Sequence, residues 1–590
     1  MHRSSARDEH LAAERAWGHS EPEPVGVSVG SWTWESRGDE VADIRYAGVP
    51  VLRSVRFVAR DADWETVPVE RVRLRRRGDG VRVRVRLTGF GAVVDLDLHV
   101  VAEGRRLTVR ARARSRTSWR RNRVGIVVLH PPDLAGAALE VVHPDGSRET
   151  TVFPQHVSPD PPAVDIRGLA WARDGLRLTA TFGGEVFEME DQRNWTDASF
   201  KTFGTPLALP FPVDVARGEI VEQELVLDVA GQATPTTPAP VPIRFRGTGA
   251  PFPEIALAAS TAPGAAPAPT TAVAAHLVEV DLDADEWRAA LDRALAEAAT
   301  AGRPVDVRLI TDEPTRIDGA VAALAGHEVR RLGAFTTRTH TTEADVWPAL
   351  VAAVTAHGPA GAQLVGGVRS HFTELNRRYD RIPSEVPALT FPITPQVHAD
   401  GRAQLVESIG IQRLVAEQAV ALADGRPVHI GPVTLRPRYR AYAAAPPGPP
   451  LGGAGYTVSP DADDVRQISG ALAAWTIAST AALAVDGVAS IAYFETWGPR
   501  GVRAPGGAPY PVAAALEALA AASGLERLVT EEAPPPGVWI AAVRREGADT
   551  AYVANLTARP VDVPFAAAPV LTLDAFAWAT VEIARARPAE

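Results

Sequence analysis

The spacing of apolar residues changes partway along this sequence of 590 residues, and that change constrains the fold more than any single motif does. From about residue 25 to 230, apolar and polar residues alternate, as in VRVRVRL at 81–87 and VVDLDLHV at 93–100. Alternation between turns rich in Gly, Asp and Pro is typical of half-buried antiparallel strands. We therefore predict an antiparallel β-sandwich over residues 25–230, preceded by an N-terminal tail over residues 1–24.

Residues 253–527 follow a different pattern, in which short apolar strands alternate with helical segments. Eight candidate strands begin near residues 254, 276, 305, 328, 363, 388, 427 and 488. Eight strands with intervening helices over this length match a (β/α)8 barrel of the TIM type, which would be the catalytic domain. A doubly wound open sheet is the alternative, but the sequence has no Gly-rich phosphate loop of the dinucleotide or P-loop type.

Two further regions complete the predicted organisation. Residues 231–252 are rich in Pro, Thr, Ala and Gly, which predicts a linker between the sandwich and the barrel. Residues 528–590 again contain short strands separated by turns, which predicts a small C-terminal β-sandwich domain.

The composition narrows the classes of partner. The formal net charge is -10 and the sequence contains no cysteine. An acidic chain has no overall positive field to attract nucleic acid or an anionic membrane surface, so we expect a small substrate and neither of those partners. The lack of cysteine excludes disulfides, thiolate metal sites and a cysteine nucleophile.

Other classes of site are disfavoured by spacing. No cluster of His, Asp and Glu has the spacing of metal ligands, so we expect neither a required metal nor a cofactor. The N-terminal residues carry charges throughout, and no run of about 18 apolar residues occurs. We therefore expect a cytoplasmic protein; its oligomeric state stays open.

The rarity of two residue types gives a further clue. Of the 61 basic residues only one is Lys, at position 201, and Asn occurs four times. A bias towards GC-rich codons replaces Lys and Asn wherever chemistry does not require them. Lys201, Asn194 and Asn376 fall in two short segments that also carry other polar residues, although chance survival is the alternative.

Two carboxylates stand where predicted barrel strands end, which is where the active sites of such barrels lie. Glu374 follows the fifth strand and Glu495 ends the eighth. Such a pair can divide the work of general acid and general base, so we predict that both residues are catalytic. In the alternative interpretation Glu374 caps a helix and Glu495 forms a structural ion pair with Arg500.

Polar and aromatic residues near the same strand ends are candidates for substrate binding. An Arg at such a place can hold a carboxylate or a polyhydroxy chain through a forked contact. The candidates in the barrel are His371, Asn376, Arg377, His398, Arg436 and Trp497.

The segment 185–206 is unusually polar for a strand of the sandwich. We expect it to leave the sandwich and cover the barrel mouth, with Lys201 as a third catalytic residue. The alternative is a buried polar network with a structural role. Its candidate binding residues are Asp191, Arg193, Asn194 and Asp197.

With the motifs EMEDQRNWTDASFKT, HFTELNRR, LTFPITPQVHA, PVTLRPR and YFETWGPRGV in view, the sequence resembles the D-apionate lactonase family. The resemblance spans nearly the whole chain and implies the same three-part arrangement of β domain, barrel and β domain. It also implies the opening of D-apionolactone to D-apionate in D-apiose catabolism. The roles of Glu374, Glu495 and Lys201 depend on the residues themselves and not on this resemblance.

The sequence is therefore compatible with three functions. The first is a sugar-lactone hydrolase, an esterase-type enzyme acting on D-apionolactone or a related aldonolactone. The alternative is a glycoside hydrolase with a two-carboxylate barrel site, and the third is a carbohydrate-binding protein without catalysis. The sequence does not say which Glu is the acid, which lactone or glycoside is the substrate, or whether a divalent metal assists.

Overall fold

The computed structural model forms two compact units. The first is built on residues 21–238, and the second on residues 239–441 and 447–590 together with residues 1–20. The structure describes residues 11–17, 23–234, 241–269, 271–439 and 462–584.

The first unit is a β-sandwich of two antiparallel sheets with nine strands each, which confirms the predicted sandwich. Strands are numbered along the chain. One sheet contains β1 (Val25–Val29), β2 (Trp32–Arg37), β3 (Glu40–Tyr46), β4 (Val49–Asp61), β9 (Trp119–His130), β12 (Ala163–Ile166), β15 (Phe187–Asp191), β16 (Phe200–Phe203) and β17 (Val213–Val215). The other contains β5 (Val69–Arg77), β6 (Gly80–Gly89), β7 (Ala92–Glu103), β8 (Arg106–Ser115), β10 (Ala138–Val142), β11 (Arg148–Val152), β13 (Gly168–Arg173), β14 (Leu176–Gly183) and β18 (Ile220–Gly231).

Alternation along each strand separates the core of the sandwich from its outer face. In β7, Leu96 and Leu98 are buried in the core between the two sheets. Asp97 lies between them on the opposite face and forms an ion pair with Arg82 of the neighbouring β6. The many arginines of these strands therefore pair with carboxylates on an outer face, as a half-buried sheet requires.

The second unit contains a closed barrel of eight parallel strands, and all eight predicted strands are present. The barrel strands are β20 (Glu254–Ala258), β21 (His276–Asp281), β22 (Val305–Ile310), β23 (Val329–Phe335), β24 (Gln363–Gly367), β25 (Leu389–Ile393), β26 (Val428–Val433) and β27 (Val488–Glu495). The α-helices span Trp287–Ala301, Arg316–Ala322, Val346–His357, Phe372–Arg378, Arg402–Ala423, Gly470–Leu483 and Pro511–Ala520. Short 3-10 helices span Pro132–Leu134 and Gln192–Trp195 in the first unit and Tyr379–Arg381 and Val465–Ile468 in the second.

A smaller antiparallel sheet is formed mainly by strands that follow the barrel in the chain, as predicted, with one strand that precedes it. It contains β19 (Phe245–Pro251), β28 (Glu526–Thr530), β29 (Val538–Arg544), β30 (Ala548–Asn555) and β33 (Trp578–Ala584), and a hairpin of β31 (Val561–Phe565) and β32 (Ala568–Leu573) packs with it.

Two stretches without predicted structure are ordered elements. Part of the expected linker is β19, which pairs with β28, and its Gly and Pro content is tolerated because it lies at the edge of the sheet. Part of the expected N-terminal tail, residues 11–17, is helical. Its Trp17 is buried, donates a hydrogen bond of 3.4 Å to the carbonyl of Arg466 and contacts the ring of Phe576.

None of the helices in the described ranges is long and apolar enough to cross a membrane.

Charged residues occupy the buried strands of the barrel. Asp306 and Arg308 are two residues apart on β22, so they share a face, and their side chains pair at 2.9 Å. Arg331 on the neighbouring strand lies 3.6 Å from Asp306 and donates a hydrogen bond of 2.6 Å to Glu254. Each buried cation therefore has a carboxylate beside it.

We expect Asp306→Asn to destabilise the protein by about 3–5 kcal/mol, because the buried charge of Arg308 would lose the carboxylate that pairs with it. Urea unfolding measures this loss. The matched control is Asp292→Asn, which breaks an exposed pair with Arg288 and should cost no more than about 0.5 kcal/mol. Equal effects of the two substitutions would contradict this interpretation of the barrel interior.

Candidate active site

A cavity of about 80 Å³ lies at the carboxyl ends of the barrel strands, where TIM-type barrels place their active sites. Residues from β20, β21, β22, β26 and β27 and from the loops that follow the strands line it. Its carboxylates are Glu279, Asp281 and Glu495, and its arginines are Arg369, Arg436, Arg438 and Arg500. We call this space the barrel cavity.

Glu495 is held at the barrel cavity as a hydrogen-bonded carboxylate. It is the last residue of β27 and is 8% exposed. Its side chain accepts hydrogen bonds from the Thr261 hydroxyl at 2.6 Å, the Thr261 backbone N–H at 3.1 Å and Arg500 Nε at 3.0 Å. The ion pair with Arg500 that the sequence offered as an alternative is thus present, and the carboxylate lines the cavity as well.

Glu279 is another carboxylate of the barrel cavity, and the sequence did not single it out. Arg438 forms a close ion pair with it, and Arg369 lies 3.4 Å away. Burial alone would raise the pKa of Glu279, but the two guanidinium groups outweigh burial and lower it. The sequence feature at this position is an acidic residue between two valines of β21, Val278 and Val280.

The arginines around Glu279 are fixed by the chain that follows β26. Arg438 Nη2 and the Tyr439 hydroxyl both donate hydrogen bonds to the carbonyl of Arg369, at 2.6 and 2.5 Å. The guanidinium of Arg369 stacks over the Tyr439 ring at 4.3 Å. Burial raises the pKa of Tyr439 to about 12, so its hydroxyl stays a donor at neutral pH.

Glu374 lies at the start of the helix Phe372–Arg378 and is buried. Its carboxyl accepts hydrogen bonds from the Ser370 hydroxyl at 2.7 Å and the His371 backbone N–H at 3.2 Å, which closes a capping box. Burial raises the pKa of Glu374 to about 7. The helix-capping alternative is therefore the geometry observed, and Glu374 is not among the described residues that line the barrel cavity.

The other predicted barrel residues are only partly brought together. Arg436 lines the barrel cavity and bonds Asp464 at 3.1 Å. His371 is the N-cap residue of the helix that begins beside Glu374. Burial lowers the pKa of His371 to about 3, with smaller electrostatic contributions from Arg438 and His398, so its imidazole is neutral.

The remaining three candidates contact other groups. Asn376 accepts a hydrogen bond of 2.9 Å from Gln418, and Arg377 acts electrostatically on Glu374. Trp497 lines a separate cavity, not the barrel cavity.

The polar segment 185–206 remains within the sandwich, contrary to expectation. Its ends form β15 and β16, which pair with each other, and β16 also pairs with β9. Between them, Asp191 caps a 3-10 turn and forms a buried ion pair with Arg193 at 2.7 Å, and Asn194 donates hydrogen bonds to the carbonyls of Ser158 and Asp191. This is the buried polar network of the alternative interpretation; that the segment also covers the barrel mouth stays a prediction.

Lys201 lies on β16 directly opposite Glu190, and its amine forms an ion pair with that carboxylate at 2.5 Å. The amine also lies 4.7 Å from the centre of the Phe203 ring, and the side chain is 15% exposed. Trp195 donates a hydrogen bond of 2.9 Å to the other oxygen of Glu190. The carboxylate that pairs with Lys201 is therefore Glu190, its cross-strand neighbour.

Across the ranges that the structure describes, no group of three or more His, Asp or Glu side chains is arranged to hold a metal ion.

Comparison with known proteins gives matches over nearly the whole chain. Residues 12–232 match the family model of the D-apionate lactonase N-terminal domain, and residues 255–524 match that of the D-apionate lactonase TIM barrel domain. A D-apionate lactonase of Brucella anthropi is 27% identical over 95% of this chain and 97% of its own length.

Solved structures are more distant. A β-arabinopyranosidase is 9% identical over 95% of this chain and 98% of its own, with a TM-score of 0.29. A GH30 endoxylanase of Clostridium papyrosolvens is 10% identical over 58% of this chain and 98% of its own, with a TM-score of 0.36.

The raised pKa of Glu374 predicts a pH-dependent stability. A carboxyl whose pKa rises from 4.5 to about 7 on folding stabilises the protein fully below pH 4.5, and this stabilisation is lost as the pH rises through 7. Relative to Glu374→Gln, the wild type should therefore lose about 3 kcal/mol of unfolding free energy between pH 4.5 and pH 7.

Chemical denaturation of both proteins at a series of pH values measures this difference. Glu417→Gln is the control, because Glu417 is an exposed residue of the helix Arg402–Ala423 and its loss should leave the pH dependence unchanged. Parallel pH curves for wild type and Glu374→Gln would show that folding leaves the pKa of Glu374 unchanged, which would contradict this prediction.

Proposed function

Because the chain belongs to the D-apionate lactonase family, we propose that it opens a sugar lactone to the free acid, with D-apionolactone as the substrate. The observation that carries the proposal is the barrel cavity, where a fixed carboxylate, Glu495, faces the same space as several arginines. Lactone hydrolysis needs a base for water and a positive partner for the oxygen that becomes negative. The cavity offers both.

Glu495 is the proposed general base. Its hydrogen bonds from Thr261 and Arg500 fix its position, while its place in the cavity lining leaves it open to water. Water that donates a hydrogen bond to Glu495 loses its proton as it attacks the lactone carbonyl. The carbonyl carbon becomes tetrahedral, and its oxygen takes up the negative charge.

Arg436 and Arg438 are the proposed partners of that oxygen and of the carboxylate that forms when the ring opens. Forked guanidinium groups suit a carboxylate because two parallel N–H groups meet its two oxygens. Arg438 is held by Glu279 and by the Arg369 carbonyl, so the donor is already in place before the substrate enters. Such preorganised donors contribute much of the stabilisation of an oxyanion.

Glu374 is the proposed source of the proton that the ring oxygen takes up as it leaves, and since Glu374 is not among the described residues that line the barrel cavity, water would pass the proton on. A pKa of about 7 keeps part of the carboxyl protonated at neutral pH, which suits an acid catalyst. Its charge acts on Tyr439, whose neighbours Arg369 and Arg438 line the barrel cavity. This assignment keeps the pair of carboxylates that the sequence predicted, with Glu495 as base and Glu374 as acid.

Lys201 is the third proposed catalytic residue. Its support is compositional, since it is the only Lys in a chain with 61 basic residues. Its pairing with Glu190 and its low exposure are what a positioned ammonium requires. Asp191, Arg193, Asn194 and Asp197 would then keep its segment in one conformation.

Glu495→Gln should lower kcat for D-apionolactone by about 100- to 10,000-fold, because the amide cannot accept the proton of water. The release of acid, followed with a pH indicator, measures the rate. Asp463→Asn is the matched control, since Asp463 pairs with the far side of Arg500 and its loss leaves Glu495 in place. Wild-type kcat in Glu495→Gln would refute the role of base.

The same preparation tests the alternative function. A glycoside hydrolase would release the phenol from aryl pentosides and leave aldonolactones untouched. A lactonase shows the opposite selectivity, and lack of turnover of every lactone tested would reject the proposed function itself.

Lys201→Arg should keep the charge and the fold of the sandwich but lower kcat by about 10- to 1000-fold. The guanidinium group is larger than the ammonium group and would not place a donor at the same position. Arg120→Lys is the opposite exchange at an exposed position of β9 and should leave kcat unchanged. Full activity of Lys201→Arg with an unchanged melting temperature would contradict the catalytic role and leave Lys201 only a structural role, as the ion-pair partner of Glu190.

A further inference from the structure

Gln467 lies in the wall of the barrel cavity, and the proposed mechanism gives it no role. It belongs to the short 3-10 helix Val465–Ile468, directly before the helix Gly470–Leu483. The residue is buried, with 3% of its surface exposed. A buried amide needs a hydrogen-bond partner for each of its two polar atoms.

The backbone that carries Gln467 is held in one conformation by its neighbours. The carboxylate of Asp464 accepts a hydrogen bond of 3.0 Å from the Arg466 backbone N–H, which caps the 3-10 helix. The guanidinium of Arg466 donates hydrogen bonds of 2.7 Å to Asp464 and to Gln396. The side chain of Gln467 therefore extends from a fixed turn.

One side of the Gln467 amide is bonded and the other is open. Its NH2 group donates a hydrogen bond of 3.0 Å to the carbonyl of Gly501, and because a backbone carbonyl only accepts, this contact distinguishes the amide nitrogen from the oxygen. Within the described residues Oε1 accepts no hydrogen bond, and it is not one of the unpartnered side-chain atoms that are closed to solvent. Since Gln467 lines the barrel cavity, Oε1 is an acceptor that a molecule there can reach.

The other uncharged polar side chains of the described cavity wall already donate to protein groups. The Thr261 hydroxyl donates a hydrogen bond of 2.6 Å to Glu495, and the Thr434 hydroxyl donates one of 2.8 Å to the carbonyl of Arg436. The remaining polar residues of this wall are the arginines and carboxylates named above. Gln467 differs from all of them because its free atom is neutral and can only accept.

This open acceptor lies beside the proposed base. Gly501, whose carbonyl holds the Gln467 amide, forms a β-bridge with Glu495. The Val502 N–H donates a hydrogen bond of 2.9 Å to the Glu495 carbonyl, and the Glu495 N–H donates one of 3.1 Å to the Arg500 carbonyl. The same short segment positions both side chains, so a group bound at Gln467 lies close to the lactone carbon that water attacks.

Only one kind of group on a sugar lactone can donate to Gln467. The carbonyl oxygen and the ring oxygen of a lactone accept hydrogen bonds and cannot donate them, whereas each hydroxyl can. The hydroxyl on the ring carbon next to the carbonyl is the one nearest to the carbon that reacts. In a cavity of about 80 Å³ the ring has little freedom to bring a more distant hydroxyl to the same acceptor.

We propose that Gln467 accepts a hydrogen bond from that hydroxyl and makes the enzyme selective for 2-hydroxy lactones. The assignment rests on the proposed function, because that function places the lactone carbonyl at Glu495. Since the amide is already oriented, little rotamer freedom is lost when the hydroxyl binds. A substrate without this hydroxyl leaves a buried acceptor without a partner, which weakens its binding.

Two isomeric substrates isolate this contact. They are 2-hydroxy-γ-butyrolactone and 3-hydroxy-γ-butyrolactone, tested as separate enantiomers, which differ only in the place of the hydroxyl. Acid release gives kcat/KM for each isomer; if either is not hydrolysed, both are compared through their inhibition constants against D-apionolactone. The wild type should prefer the 2-hydroxy isomer by about 5- to 10-fold, the effect of one neutral hydrogen bond.

Gln467→Met keeps the size of the side chain and removes the acceptor, so the preference should disappear. The ratio of the two isomers cancels any general loss from a displaced Glu495, because such a loss affects both isomers equally. Gln467→Glu keeps an acceptor at the same place and should keep the preference even where kcat falls.

Gln404→Met is the matched control and should leave the preference at its wild-type value. Gln404 is also buried, and its NH2 group donates a hydrogen bond of 2.8 Å to the carbonyl of Pro395. It is not among the described residues that line the barrel cavity.

Equal values for the two isomers in the wild type, or a preference that survives in Gln467→Met, would overturn the assignment. In the second case, an equal loss of kcat/KM for both isomers would show that Gln467 holds the attacking water or only the Gly501 turn. Absence of turnover of every lactone, D-apionolactone included, would instead reject the proposed function.

Discussion

Charges buried in the barrel can persist only if each lies against a partner, because an isolated ion in a low-dielectric interior costs many kcal/mol. The structure meets this condition with a series of opposite charges. Glu254 contacts Arg331, Arg331 and Arg308 both lie beside Asp306, and Arg308 acts electrostatically on Glu279. Glu279 in turn holds two arginines of the barrel cavity, so the chemistry at the mouth depends on compensation that begins at the first residue of β20.

Two buried carboxylates show how the surroundings of a side chain set its pKa. Glu279 and Glu374 are both buried, yet the pKa of the first is lowered and that of the second is raised to about 7. Two guanidinium groups lie beside Glu279. Glu374 instead accepts hydrogen bonds from a hydroxyl and a backbone N–H, and the positive charge of Arg377 has a weaker effect on it. One fold can therefore keep one carboxylate ionised and another partly protonated at the same pH.

The sequence predicted the eight barrel strands because each is a short apolar run, and it predicted the sandwich because its strands alternate. It missed Glu279, since an acidic residue inside a strand carries no sign of the distant arginines that neutralise it. The prediction that the segment 185–206 leaves the sandwich was wrong, because its polar residues belong in part to two strands of the sandwich, β15 and β16. Partners such as Glu190 for Lys201 follow from strand register, which local patterns do not give.

The pairing of β19 with β28 has a consequence for dissecting the protein. The chain enters the barrel through β19 and leaves it through β28, so these strands tie the two ends of the barrel to one antiparallel sheet. A fragment cut just after the last barrel helix would keep β19 and lose the strand that satisfies its backbone. The backbone N–H and C=O groups of β19 would then be unpaired and would favour association between copies. The barrel and the C-terminal sheet should therefore be expressed together.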